Sequence, residues 1–165
     1  MNAKNIIVAS ILLLLGASAT LAAQTKAESK EQARIEQAAW IKQSLEDKDF
    51  RIEVSQALPQ SGRSVNLTSS YSISLKDDVV ISQLPYYGRA YSVPYGGGEG
   101  LNFKAEYTDY SLAYDAKGMA TIQLKARTKE DSYTIRLRIY PNGKSYVYVE
   151  SVNRQSISFN GELEK

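Results

Sequence analysis

DYSLAYDAKGMATIQLKARTKEDSYTIRLRIYPNGKSYVYVE, residues 109–150, is the stretch that decides the fold. Three turn signatures cut it into four segments in which apolar and polar residues alternate, the period of half-buried strands. Asp115-Ala116-Lys117-Gly118 has the form of a type I turn with a left-handed glycine at a bulge. It sets Asp115 opposite Met119, hence Leu112 opposite Ile122, Tyr110 opposite Leu124 and Asp109 opposite Lys125. Lys129 to Ser132 reads as a four-residue turn that pairs Thr128 with Tyr133, and so Leu124 with Leu137 and Ile122 with Ile139. Tyr140-Pro141-Asn142-Gly143 puts Pro where φ of about −65° is wanted and Gly where φ is positive. It pairs Tyr140 with Lys144, Leu137 with Val147 and Ile135 with Val149.

These pairings agree on two faces. Tyr110, Leu112, Tyr114, Ile122, Leu124, Ala126, Ile135, Leu137, Ile139, Val147 and Val149 form the core face. Asp109, Gln123, Lys125, Arg127, Arg136, Arg138, Tyr146 and Tyr148 form the outer one. Upstream, Phe50, Ile52 and Val54 alternate with Arg51, Glu53 and Ser55, and Val65 to Leu75 alternates through Tyr71 and Ile73. Lys76-Asp77-Asp78 turns the chain into Val79 to Leu84; two- and three-residue loops fit this hairpin equally, so its register stays open. Ser151 to Arg154 turns again, and Gln155 to Phe159 is the last strand. The fold expected is mainly β. One N-terminal helix precedes seven to eight antiparallel strands in meander order, curled into a barrel or half-barrel with the helix over its open side or one end.

The helix is read from Glu28 to about Asp47, where Ile35, Ala38, Ile41 and Leu45 share one face beside Trp40 and acids gather at the start. Before it, Lys4, the apolar run Ile6 to Leu15 and the small residues Gly16 to Ala23 have the layout of a secretory signal peptide. The run is about ten residues, whereas a spanning helix needs roughly 20. Cleavage is expected near Ala22 or Ala23, leaving a periplasmic or secreted chain that does not span the membrane. The organisation expected is a signal at 1–23, a helical segment at 24–48 and an antiparallel β domain at 49–165, helix and sheet folding as one unit.

The chain has 165 residues, no Cys and no His. That removes disulfides, thiolate and imidazole catalysis, His/Cys metal sites and any lipid anchor on a Cys of this sequence. The net charge of +2 gives no electrostatic case for nucleic acid. No cofactor is implied, and no catalytic constellation stands out.

The irregular segment is Leu84 to Phe103, LPYYGRAYSVPYGGGEGLNF. It carries two prolines, five glycines and the tyrosines Tyr86, Tyr87, Tyr91 and Tyr95, whose flat faces and polar tips suit amphipathic or sugar ligands. Tyr95-Gly96-Gly97-Gly98-Glu99-Gly100 is no phosphate loop: a strand follows it and Glu99 would repel phosphate. Together with Ser61-Gly62-Arg63-Ser64-Val65-Asn66-Leu67-Thr68-Ser69, Leu84-Pro85-Tyr86-Tyr87-Gly88-Arg89-Ala90 and Asn153-Arg154-Gln155-Ser156-Ile157-Ser158, it resembles a family of small exported bacterial proteins defined as a domain of unknown function, DUF4251. The resemblance runs from the helix to Gly161. It implies a signal peptide, a Gram-negative envelope setting and a compact β-rich fold, and brings no activity, cofactor or catalytic residue. Many members carry a Cys after the signal; this chain does not.

Arg63, Arg89 and Arg154 lie in those motifs, and a guanidinium can clamp a carboxylate or phosphate or tie a loop to backbone carbonyls. The candidate binding residues are therefore Arg63, Tyr86, Tyr87, Arg89, Tyr91, Tyr95 and Arg154. The outer stripe of Lys125, Arg136, Arg138, Tyr146 and Tyr148 is a second candidate, for acidic glycans or an envelope protein, or a solvated face of stacked Arg–Tyr pairs. The function expected is a non-enzymatic binding or interaction module of the bacterial envelope. The alternatives are a structural envelope component with a protein partner and a carboxylate-dependent hydrolase.

Overall fold

The computed structural model describes residues 28–92 and 100–165. Residues 28–46 form a helix, α1. Eight strands follow: β1 (Phe50–Pro59), β2 (Val65–Lys76), β3 (Val79–Leu84), β4 (Leu101–Tyr114), β5 (Ala120–Arg127), β6 (Ser132–Ile139), β7 (Lys144–Ser151) and β8 (Ile157–Glu164). Each pairs antiparallel with the next, and β8 returns to β1, so the meander is a closed barrel. The chain divides into two units, Met1–Gln37 and Ala38–Lys165. In the first, residues 28–37 are helical and carry an exposed Arg34–Glu31 ion pair and a Gln32–Glu36 hydrogen bond. The second holds the last turns of α1 and the barrel.

Alternation fills the barrel with its own aliphatic side chains. Ile52, Ile73, Leu75, Ile122, Leu124, Ile135, Leu137, Val147 and Phe159 are all fully buried. Ile41 and Leu45 of α1 join this core, and the Tyr110 hydroxyl donates to the Leu45 carbonyl at 3.1 Å. The last turns of α1 thus sit at the barrel end where β1 starts and β4 finishes. The helical stripe is buried only at Ile41 and Leu45; Ala38 is half-buried, and Ile35, in the first unit, is exposed.

The turns at Gly118 and Gly143 have the expected positive φ, 79° and 86°, and Leu112 faces Ile122 and Leu137 faces Val147 as the sequence requires. Two registers differ from expectation. On β5–β6 the loop is residues 128–131, so Ile122 faces Leu137 and Leu124 faces Ile135, two residues away from the expected pairing. Thr128 sets this: its hydroxyl accepts from the backbone of Glu130 and Asp131, fastening the turn one residue early. An even shift leaves the faces unchanged. On β4 a bulge between Thr108 and Ser111 puts Asp109 at φ 55°, so Thr108, not Asp109, faces Lys125 and Tyr110 does not face Leu124. Asp109 still reaches the Lys125 ammonium at 2.9 Å. The bulge also moves the inward position, and Tyr107 enters the core while Tyr114 stands 40% exposed. The β2–β3 register left open by the sequence is Lys76 with Val79, a two-residue turn with Asp77 and Asp78 both at positive φ.

Candidate functional site

The barrel end opposite α1 gathers the sequence motifs. There Asp131, just before β6, is a buried carboxylate. Its oxygens accept from the backbone N–H of Ser132 (2.8 Å), Val152 (3.1 Å) and Asn153 (3.3 Å) and from the Ser151 hydroxyl (2.9 Å). It therefore holds the β7–β8 turn against the start of β6. Arg154 is 7% exposed and lies 3.7 Å from Asp131 and 3.9 Å from Glu130, with its guanidinium over the Tyr86 ring at 5.7 Å. Its Nε finds no hydrogen-bond acceptor among the described residues. In the sequence Asp131 looks like an ordinary turn residue, and the Thr128-x-x-Asp131 spacing is the one signal of its role.

The 84–92 loop is laced to this turn through backbone. The Gln155 N–H donates to the Arg89 carbonyl at 3.0 Å, and the Arg89 N–H donates to the Gln155 side chain at 3.1 Å. The Tyr91 N–H donates to the Asn153 carbonyl at 2.8 Å. The Tyr86 hydroxyl donates to the carbonyls of Arg89 and Gln155, and burial, partly offset by Arg154, raises its pKa above the usual 10.0. Of the seven candidates, Tyr86 and Arg154 are thus brought together. Arg89 joins them by its peptide, with its side chain exposed. Tyr87 and Tyr91 are exposed, Arg63 is exposed on the β1–β2 loop, and Tyr95 lies outside the described residues. The arrangement is a brace, and no concave cavity found among the described residues is lined by these tyrosines.

A broad concavity lies on the outer wall. Between Asn66 and Tyr71, β2 swings away from β1: four residues, Leu67–Ser70, stand where β1 has only Ser55. This lip overhangs β1, β8 and β7 and leaves a groove of about 960 Å³. Its surface is mixed, polar and apolar in about equal parts: Leu67, Ser69 and Ser70 on the lip, Glu53, Asn160 and Glu162 on the floor, and Arg138, Tyr140, Lys144 and Tyr146 on the far side. The Ser70 hydroxyl donates to Glu53 at 2.8 Å, and Asn160 donates to Gln56 at 2.9 Å. The Arg138 guanidinium stacks 4.7 Å from the Tyr146 ring, whose hydroxyl donates to Ser158 at 2.6 Å. Arg138 and Tyr146 belong to the outer stripe of the sequence. The rest of that stripe is paired: Lys125 with Asp109, and Arg136 with Glu150 and Gln123. Among the described residues no group of three His, Cys, Asp or Glu is placed to hold a metal, and no helix is long and apolar enough to cross a membrane.

The family model of a domain of unknown function, DUF4251, matches residues 31–163, spanning all eight strands. The chain belongs to the DUF4251 family. Its fold is similar to the crystal structure of a DUF4251 family protein from Bacteroides eggerthii DSM 20697, at 18% identity and a TM-score of 0.61 over 79% of this chain and 87% of that one. No curated protein matches it. In this DUF4251 chain two of the four family-like motifs form the brace, through Tyr86, Arg89, Asn153, Arg154 and Gln155; Ser61 to Ser69 leads into the lip at Leu67, and Tyr95 to Gly98 lies outside the described residues.

Proposed function

We propose that this protein is an exported, non-enzymatic binding module that holds a hydroxyl-rich saccharide chain in the groove beneath the β2 lip. The groove carries the reading. It is open and lined by hydroxyls, carboxylates, one amide and the cations Arg138 and Lys144, with two tyrosines and Leu67 among them, a mix that suits a ligand with many hydroxyls and apolar ring faces better than a lipid. Acids and bases are both present, so a neutral sugar meets no net repulsion. Export rests on the signal-like residues 1–23, and the envelope is where such polymers are found outside the cell membrane. Glu53 and Glu162 face each other across β1 and β8, the pairing a hydrolase would need, but both are exposed, and neither sits in an apolar pocket that would hold it protonated. Hence binding without hydrolysis is the reading preferred.

One observation favours a second reading, a structural component with a protein partner. From Ser64 to Leu75 β2 carries no charge, and its residues 65–71 have no β3 partner, so an extended segment could add there. A panel of soluble envelope oligosaccharides, read by calorimetry, separates the two. Saccharide binding that Tyr146→Ala or Asn160→Ala weakens about tenfold supports the groove. No heat with any sugar, together with loss of a co-purifying protein in Thr68→Pro, transfers the function to the edge. Reducing ends released by wild type and not by Glu162→Gln would make it an enzyme.

A further inference from the structure

The geometry points to a second site, for a phosphomonoester, in a notch of the barrel wall on the side of β4. β4 serves two neighbours in turn: Leu101–Glu106 pairs with β3, and Tyr107–Tyr114 with β5. The β5-facing edge of 101–106 therefore has no ladder partner and looks across at the β5–β6 turn. The gap is a cavity of about 530 Å³. Phe103 and Tyr133 stack beside it with ring centroids 4.2 Å apart and planes 8° apart, and the Tyr133 hydroxyl reaches the Gly100 carbonyl at 3.4 Å. Lys104 comes from β4, Arg127 from the end of β5 and Lys129 from the turn.

None of these three cations has an ion-pair or hydrogen-bonding partner among the described residues, whereas most other outward-facing cations of β5 and β6 do. Among the described residues the one acid lining the notch, Glu130, is directed to Arg154 at 3.9 Å. Three cations from three backbone elements that line one cavity without a partner among the described residues repel one another and are relieved by a dianion. One carboxylate would be satisfied by Arg127 alone; a phosphomonoester, with close to two charges and three acceptor oxygens, uses all three. Phe103, half-buried and backed by the buried Tyr133, supplies apolar surface for the group that bears the phosphate. The site is separate from the saccharide groove, which is built on β1, β2, β7, β8 and the other end of β6.

The test is calorimetry and thermal shift on the full chain with inorganic phosphate, glucose 6-phosphate, glucose, and vesicles with and without phosphatidic acid. The expected result is binding of at least one phosphate-bearing probe and not of glucose, weakened by added salt. Arg127→Gln and Lys104→Gln, both on exposed side chains, should each lower that affinity about tenfold without moving the unliganded melting temperature. Preference for glucose 6-phosphate over the vesicles marks a phosphorylated sugar, the reverse a lipid headgroup. Absence of binding by all phosphate probes, or binding that both substitutions leave intact, overturns the proposal. Loss of saccharide binding in Tyr146→Ala with phosphate binding retained shows the two sites to be separate.

Discussion

Barrel closure hangs on one glycine. Gly161 faces Val54 across the β1–β8 seam, beside the β1 bulge, and its φ is of the ordinary kind that any residue adopts. A Cβ there would collide with the Glu53 carbonyl and stand 2.9 Å from the Val54 Cα. Both obstacles are backbone, so Gly161→Ala must push the two strands apart. Overpacking of this kind costs about 1–3 kcal/mol, and weakening one or two ladder hydrogen bonds adds about 1 kcal/mol each. A total of about 2–5 kcal/mol is a large part of the roughly 5–15 kcal/mol that holds a domain together. At roughly 3–4 °C per kcal/mol, the melting temperature should fall by about 6–20 °C. Urea unfolding followed through the half-buried Trp40 gives the free energy directly. The control is Gly62→Ala, where φ is 106° but no atom lies within 4 Å of the new methyl, so only local strain of about 1–2 kcal/mol is expected. If Gly161→Ala proves no worse than Gly62→Ala, the seam is not closed as described.

Asp131→Asn should be among the most destabilising single changes at the loop end, by about 2–3 kcal/mol, because it leaves buried Arg154 only the 3.9 Å contact to Glu130 and weakens the acceptor of the turn N–H groups; amide exchange should show the 84–92 loop and the β7–β8 turn losing protection together. The barrel should also weaken at alkaline pH. Burial raises Tyr107 from 10.0 to about 12, assisted by Asp78, and burial beside Tyr107 and Tyr114 does the same for Tyr110. Raised folded-state values mean that the stability these hydroxyls contribute is complete below pH 10 and is lost as pH climbs toward 12, when the unfolded chain ionises first. Absorbance at tyrosinate wavelengths with parallel circular dichroism checks this, and Tyr107→Phe should flatten the decline.

Turn chemistry explains what could be read from the sequence. Asp115 to Gly118 and Tyr140 to Gly143 each combine a φ-setting residue with a glycine, and both registers follow from them. Asp77-Asp78 makes a tighter, two-residue turn without glycine, because aspartate tolerates the left-handed region; nothing in the composition distinguishes it from a longer loop. At Asp109 the inward parity changes mid-strand, and Tyr107 and Tyr110, three residues apart, both turn toward the core side; a bulge was the only way to reconcile them. The candidate site was less legible. Arg63, Arg89 and Arg154 do share one end of the barrel, but the motifs of Arg89 and Arg154 are joined largely through peptide groups, which residue identity does not reveal, and Arg63 stands exposed on the β1–β2 loop. The groove depends on β2 leaving β1, and its one trace in the sequence is the run Thr68-Ser69-Ser70, where alternation gives way to three exposed small polar residues.

Both cavities in the wall have the same origin. β2 spans 12 residues and β3 only 6, while β4 spans 14 and must serve β3 and β5 one after the other. A barrel whose strands differ this much in length cannot pair every residue, so the wall opens wherever a long strand outruns its neighbour. The interior offers no alternative for recognition: Leu45 closes one end, the Asp131–Arg154 brace lies across the other, and aliphatic side chains fill the space between. Selection for a ligand would then act on the outward residues at the two openings, leaving the core and the brace to be constrained by folding alone. Substitutions at Arg127, Lys104, Asn160 or Tyr146 should accordingly alter binding with little effect on stability, whereas substitutions at Asp131 or Gly161 should do the reverse, altering binding only insofar as the barrel itself is lost.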